Sequence, residues 1–212
     1  MPMEILTWGV PVLVVIALAV PTWQRSHTLD PYRPILGGTP PLEVQVIAMD
    51  WKWLFIYPSQ GVASLNELVI PSGQPVHLSL TSATVMQSLF IPRLSGQIYA
   101  MAGMRTQQYL QADAAGTFNG RNTQFNGDGF QQQAFATRAM SPHAFNDWLA
   151  NTRRTGQALS CDRYMSLAHE QSTLPAENYR VVTPGLFSAV LAAASHAALP
   201  ACASSGMDST HE

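Results

Sequence analysis

Ile5 to Trp23, ILTWGVPVLVVIALAVPTW, carries no ionisable side chain and is long enough to cross a hydrocarbon layer of ~30 Å at 1.5 Å per residue. A cleaved secretory signal would need a basic start, a shorter apolar core and a small-residue cleavage site. Here Glu4 is the one charge before the run, and Trp8 and Trp23 stand near its ends, where aromatic rings anchor a helix at the membrane interface. The run therefore predicts a retained membrane helix over residues 1–24, with Pro11 and Pro21 tolerated inside it. Everything else the chain folds must be reached from that anchor.

Downstream, Arg25 to Pro41 holds Pro31, Pro34, Gly37, Gly38, Pro40 and Pro41, which predicts an extended linker over 25–41. The period then changes to two. Leu42, Val44 and Val46 alternate with Glu43 and Gln45 as on a half-buried strand. Trp51–Tyr57, Glu67–Ile70, Val76–Leu80, Met86–Pro92, Arg105–Ala112 and Ala134–Ala139 read as further short strands, with Thr117-Phe118 between. Pro71-Ser72-Gly73, Asn119-Gly120 and Asn126-Gly127 read as turns. Short strands at this spacing predict an all-β Greek-key sandwich over 42–140. A C-terminal helical extension follows over 141–212. Ser141 is a candidate N-cap with Pro142 after it, and Ala144, Phe145, Trp148 and Leu149 share one face of a helix ending near Arg153. A second helix is expected from Thr183-Pro184 to about Leu199, with Leu186, Phe187, Val190 and Leu191 on its apolar side. Arg154–Val182 reads as irregular and the last dozen residues as disordered.

Charge excludes one class of partner. Only 11% of residues are charged, the net charge is −2, and Lys52 is the one lysine among scattered arginines, so no nucleic-acid surface is expected. The two cysteines, Cys161 and Cys202, fit either one disulfide in an oxidising compartment or two unrelated thiols.

The most informative polar stretch is Gly116–Gln133, GTFNGRNTQFNGDGFQQQ. Asn122 and Asn126 stand four apart, Phe130 follows four later, and Gln133 three after that. Cys, Cys, His and Met at those intervals would make a copper-binding loop, because thiolate, imidazole and thioether ligands select copper. Neutral amides bind a soft metal poorly, and a phenyl ring has no donor atom.

The segments MDWKWLFIYP (Met49–Pro58) and VMQSLFIPRLSGQIYAMAGMRT (Val85–Thr106), in this order and spacing, closely resemble subunit II of bacterial haem–copper quinol oxidases of the cytochrome bo type. The resemblance runs from the membrane helix to the second C-terminal helix. It implies a membrane helical hairpin followed by a cupredoxin-like sandwich outside the cytoplasmic membrane. In cytochrome c oxidase relatives that sandwich holds a dinuclear copper centre fed by cytochrome c. On this chain its first His would fall at Gln87, its bridging cysteines at Asn122 and Asn126, its backbone ligand at Gln124, its second His at Phe130 and its Met at Gln133. The spacing survives without the donors, and none of the six histidines (His27, His77, His143, His169, His196, His211) replaces them.

The resemblance thus implies a non-catalytic structural subunit of a proton-translocating ubiquinol oxidase, with no metal or cofactor of its own and no cytochrome c partner. Haems and copper would lie in oxidase subunit I, the other small membrane subunits and the lipid bilayer would be its further partners, and ubiquinol would be the substrate of the complex. It also implies a bacterial inner-membrane location with the sandwich on the periplasmic side. Arg25 and Arg33 after the helix would by the positive-inside rule leave that bulk in the cytoplasm. A first membrane helix missing upstream resolves this by hairpin topology, so an N-terminal truncation is expected. A stand-alone membrane-anchored periplasmic binding module or copper carrier, using Met86, Met101 and Met104, is the competing reading, although methionine is a common core filler. His77 is expected to be solvated on its strand, Met207 and His211 to sit in a disordered end, Trp51 and Trp53 to pack on a membrane-embedded partner, and Arg93 and Arg105 to make polar contacts there.

Overall fold

The computed structural model describes residues 2–28, 30, 32–35 and 39–193. The apolar run forms α1 (Pro2–Thr28), which is exposed over Trp8 and Val10–Thr28 and over Leu6–Thr28 is long and apolar enough to cross a membrane. The helix outruns the boundary expected at residue 24 and takes in Arg25–Thr28 of the expected linker. In its last turns the Ser26 hydroxyl donates to the Thr22 carbonyl (2.8 Å) and the Thr28 hydroxyl to the Gln24 carbonyl (3.0 Å).

Two sheets follow. The strands, in chain order, are β1 (Leu42–Met49), β2 (Lys52–Tyr57), β3 (Val62–Leu65), β4 (Glu67–Pro71), β5 (Val76–Ser82), β6 (Gln87–Phe90), β7 (Ile98–Ala100), β8 (Thr106–Leu110), β9 (Gly116–Asn122), β10 (Ala134–Met140), β11 (Gln157–Leu159) and β12 (Glu177–Val182). The larger sheet runs β11-β12-β3-β2-β1-β5-β8 and the smaller β4-β10-β9-β6-β7. The parallel pairs β1–β5 and β4–β10 mark where the chain crosses between sheets; the other pairs in these sheets are antiparallel except β11–β12. The expected N-terminal apolar helix and β-sandwich are both present, but the larger sheet reaches past residue 140. Arg154–Val182, read as irregular, supplies β11, β12 and the helix α3 (Cys161–His169). β12 is short, and its partner β3 is more than a hundred residues earlier (Glu177↔Leu65, Tyr179↔Ala63), so no local pattern reveals it.

Two cores explain why β2 reads WLFIY without polar alternation. Trp53, Phe55 and Tyr57 point between the sheets with Val44, Val46, Leu78, Leu89 and Phe135. Leu54 and Ile56 point the other way, with Ile47 and Leu65, under Tyr164 and Leu167 of α3 and Leu186, Phe187 and Val190 of α4 (Leu186–Ala193). A strand covered on both faces is apolar at both parities. Trp53 is fully buried and so meets no partner, contrary to expectation. The Tyr57 hydroxyl ties the sheets, donating to the Val69 carbonyl (2.9 Å) and accepting from the Val69 N–H (2.8 Å).

Ser141 caps α2 (Pro142–Thr155), its side chain accepting from the Ala144 N–H, and Phe145, Trp148 and Leu149 enter the first core. The second expected helix starts at Leu186 rather than Thr183, because Gly185 at φ 75° breaks the turn before it. Cys161 is buried at the head of α3. Cys202, His196, Met207, His211 and the expected disordered tail lie outside the described residues. His77 is buried rather than solvated. The neighbouring strands β1 and β8 flank it, so its Nδ1 meets Glu43 Oε2 (2.7 Å), its Nε2 meets Gln107 Oε1 (3.0 Å), and Tyr109 stacks on it at 4.4 Å.

Burial of phenols sets the alkaline limit of this fold. Burial pushes the Tyr179 hydroxyl up to about 12, and raises Tyr57 and Tyr164 as well. The folded chain then holds protons that the unfolded chain releases near pH 10. Stability from these tyrosines is intact below about pH 10 and falls as pH rises through the folded values. Lys52, lowered by burial against the pull of Glu170 and Asp50, acts in the opposite direction just below its ordinary value. Three phenols outweigh one amine, so thermal unfolding between pH 9 and 12 is expected to show a falling midpoint; a flat profile would contradict the burial.

Candidate functional site

The loop Thr123–Gln133 leaves β9 and returns to β10 at one end of the sandwich, and both of its ends are pinned. Thr123 N–H donates to the Ser88 carbonyl (3.1 Å), and Asn122 N–H to the Gln133 carbonyl (3.0 Å). Gln87 opens β6 beside it, and the β1–β2 turn at Met49–Trp51 closes the end.

Four of the six singled-out side chains meet. Gln133, buried between the 3-10 turn Phe130–Gln132 and β10, is the hub. Its Oε1 accepts from Asn122 Nδ2 (2.9 Å) and Asn126 Nδ2 (2.7 Å). Its Nε2 donates to the Met49 carbonyl (3.2 Å) and to Gln87 Oε1. Gln87 Nε2 donates to the same Met49 carbonyl (3.2 Å) and to the Thr84 hydroxyl (3.3 Å), which itself donates to Asp50 Oδ1 (2.7 Å). Asn122 uses its full capacity: Oδ1 accepts from the Ser88 and Gln124 N–H groups (2.9 and 3.0 Å), and Nδ2 also donates to the Gln124 carbonyl (2.7 Å). Gln124 thus joins through its backbone, not its side-chain amide. Phe130 stands apart, its ring tilted against Phe125 at 5.7 Å.

Sequence reasoning missed Met49, Asp50 and Thr84 as members of this network, because only tertiary pairing brings the β1–β2 turn to the loop. It also missed what Trp51 does. Trp51 sits at φ 61°, a region rare for bulky residues, with its ring lying over the loop backbone. A Cβ on Gly129 would stand 2.1 Å from that ring and one on Gly127 3.5 Å, and the indole N–H donates to the Asn126 carbonyl (3.4 Å). Glycine here admits the indole. Met86 and Met104 are exposed near this end, as are Val85 and Phe125. Arg105 and Arg93 are both exposed, Arg105 donating to the Ser79 hydroxyl (2.7 Å) and Arg93 sitting at φ 73°.

Chemically, this is a cluster of neutral amides whose donors and acceptors mostly satisfy one another. It has no thiolate, imidazole or thioether, so a soft dinuclear metal centre does not fit it. Among the described residues no group of three or more His, Cys, Asp and Glu side chains comes together to hold a metal ion.

No family model matches the chain. Over 191 residues, 89% of this chain and 62% of the relative, it is 44% identical to "Ubiquinol oxidase subunit 2" of Acetobacter aceti. It is 37% identical over 191 residues, 89% of this chain and 67% of the relative, to "Cytochrome bo(3) ubiquinol oxidase subunit 2" of Buchnera aphidicola subsp. Baizongia pistaciae. The chain thus spans less than two thirds of the Acetobacter relative's own length. In fold it resembles the crystal structure of the periplasmic domain of subunit II of cytochrome oxidase of Bradyrhizobium japonicum, with a TM-score of 0.52 and 20% identity over 56% of this chain and 98% of that one. The sandwich is therefore cupredoxin-like, and with the sequence relatives above, the chain belongs to the ubiquinol oxidase subunit 2 family.

Proposed function

We propose that this chain is a non-catalytic subunit of a proton-translocating ubiquinol oxidase complex, anchored by α1 in the bacterial inner membrane with its sandwich on the periplasmic side. Its partners would be oxidase subunit I, which would carry the haems and copper, and the smaller membrane subunits. Gln87, Asn122, Gln124, Asn126, Phe130 and Gln133 would be the vacated ligand positions of a copper centre. The observation that carries this reading is the self-satisfied amide cluster, in which Gln133 and Asn122 spend their polar atoms on each other and on the backbone. Such a cluster stiffens a loop but passes no electrons, so electrons from quinol would have to enter elsewhere in the complex.

The test is Asn126→Ala in the assembled complex, since Asn126 gives the cluster only one side-chain hydrogen bond. Quinol-dependent oxygen uptake per complex is expected to stay at the parent value, with a stability loss of about 1 kcal/mol. Loss of turnover in a complex that retains all subunits and haems, or stoichiometric dinuclear copper in the purified chain, would refute the assignment.

A further inference from the structure

Of the seven asparagines, only Asn119 and Asn126 precede glycine, the neighbour that least obstructs attack of a backbone nitrogen on an asparagine side chain. The fold treats these two dipeptides differently. Asn119-Gly120 lies inside β9, paired with β10 at Asn119↔Ala136 and Gly120↔Phe135, and the Phe135 ring covers Gly120. Extended, ladder-bound backbone cannot turn the following nitrogen onto the side-chain carbon. Asn126-Gly127 lies in the loop between β9 and the 3-10 turn. Gly127 holds φ 109°, and its N–H donates no hydrogen bond among the described residues. Asn126 is half-buried, with Oδ1 unpartnered and one hydrogen bond from Nδ2.

We infer that Asn126 is a site of spontaneous deamidation, selected by the fold over Asn119. The Gly127 nitrogen, losing its proton, attacks Asn126 Cγ, and an N–C bond forms. The Cγ–Nδ2 bond breaks and ammonia leaves, giving a succinimide. Water then opens the ring to aspartate or isoaspartate, so one water is consumed and one ammonia released, with no redox change. The consequence falls on the amide cluster. Gln133 Oε1 loses the donor that Asn126 supplied and faces a carboxylate instead, so two acceptors meet where a hydrogen bond stood. The reaction would turn a neutral loop into a charged, loosened one.

The experiment is timed incubation of the full chain, purified in detergent, at mildly alkaline pH and 37 °C, followed by peptide mapping for the mass gain of amide-to-acid conversion. A parallel sample is incubated unfolded in denaturant. In the folded protein Asn126 is expected to convert at least about tenfold faster than Asn119, a small difference in barrier, whereas the unfolded chain converts both at comparable rates. Conversion of Asn119 as fast as Asn126 in the folded protein would overturn the inference. So would an Asn126 that stays intact in the folded protein while its unfolded counterpart is consumed.

Discussion

Gly120→Ala is expected to lower stability by about 3 kcal/mol, at the upper end of what overpacking usually costs. The added Cβ would lie 2.1 Å from one carbon of the Phe135 ring and 2.3 and 2.6 Å from two others. A clash with a flexible side-chain tip would be absorbed, but this ring cannot retreat. Its centroid sits 5.1 Å from that of Phe55 and 5.7 Å from that of Trp53, and both neighbours are fully buried between the sheets. Either β9 moves off β10 or the aromatic trio repacks. At roughly 2–4 °C per kcal/mol for a domain of this size, the melting midpoint should fall by about 6–12 °C. Gly96→Ala is the control, because a Cβ there meets nothing within 4 Å and the backbone is not left-handed; its effect should stay within about 0.5 kcal/mol. A second comparison isolates the contact. Phe135→Leu alone opens a cavity, yet combined with Gly120→Ala it should be scarcely worse, since the smaller side chain makes room for the Cβ. A Gly120→Ala protein that melts with the parent would mean that the ring is not where the packing puts it.

The same glycine shows where sequence reasoning stops. Asn119-Gly120 is a turn dipeptide by composition, but in the fold Gly120 is a strand residue that is small because an aromatic ring lies on it. Local patterns sufficed where the constraint was local: the apolar run of α1, the alternation of β1, and the Ser141 cap. They failed where the constraint was a distant surface. His77 reads as outward-facing until β1 and β8 enclose it, and Trp53 reads as an interface aromatic until the second sheet covers it. β12 joins the sandwich through β3, more than a hundred residues away in the chain. At the candidate site the spacing of Asn122, Asn126 and Gln133 is visible in the chain, and all three side chains converge. The Met49 carbonyl and the Thr84–Asp50 pair that complete the network were not, because the β1–β2 turn meets the loop only after both sheets have formed.

Lys52→Met should cost about as much as the glycine change, but in a different part of the molecule. Lys52 is the chain's only lysine and is fully buried, with its ammonium donating to the carbonyls of Asp50 (3.2 Å), Ser172 (3.1 Å) and Glu170. Glu170 is the C-cap residue of α3, so the charge meets the end of that helix where its dipole favours a cation. Asn66 grips the same stretch from the sandwich, accepting from the Trp53 N–H (2.8 Å) and donating to the Leu174 carbonyl (2.7 Å). Methionine would fill the volume but leave three carbonyls without their donor, at about 1–3 kcal/mol for each that water cannot reach. Because Ser172 and Glu170 can turn toward solvent, about 3 kcal/mol in total is the expected loss. It should appear first as faster hydrogen exchange across α3 and the residues leading to β12, while β1, β5 and β9 keep their protection. Lys52 and Asn66 hold one segment, so Asn66→Ala added to Lys52→Met should cost less than the sum of the two single changes. Additive costs, or exchange that rises evenly through both sheets, would mean that Lys52 supports the sandwich as a whole and is no clasp for the C-terminal layer.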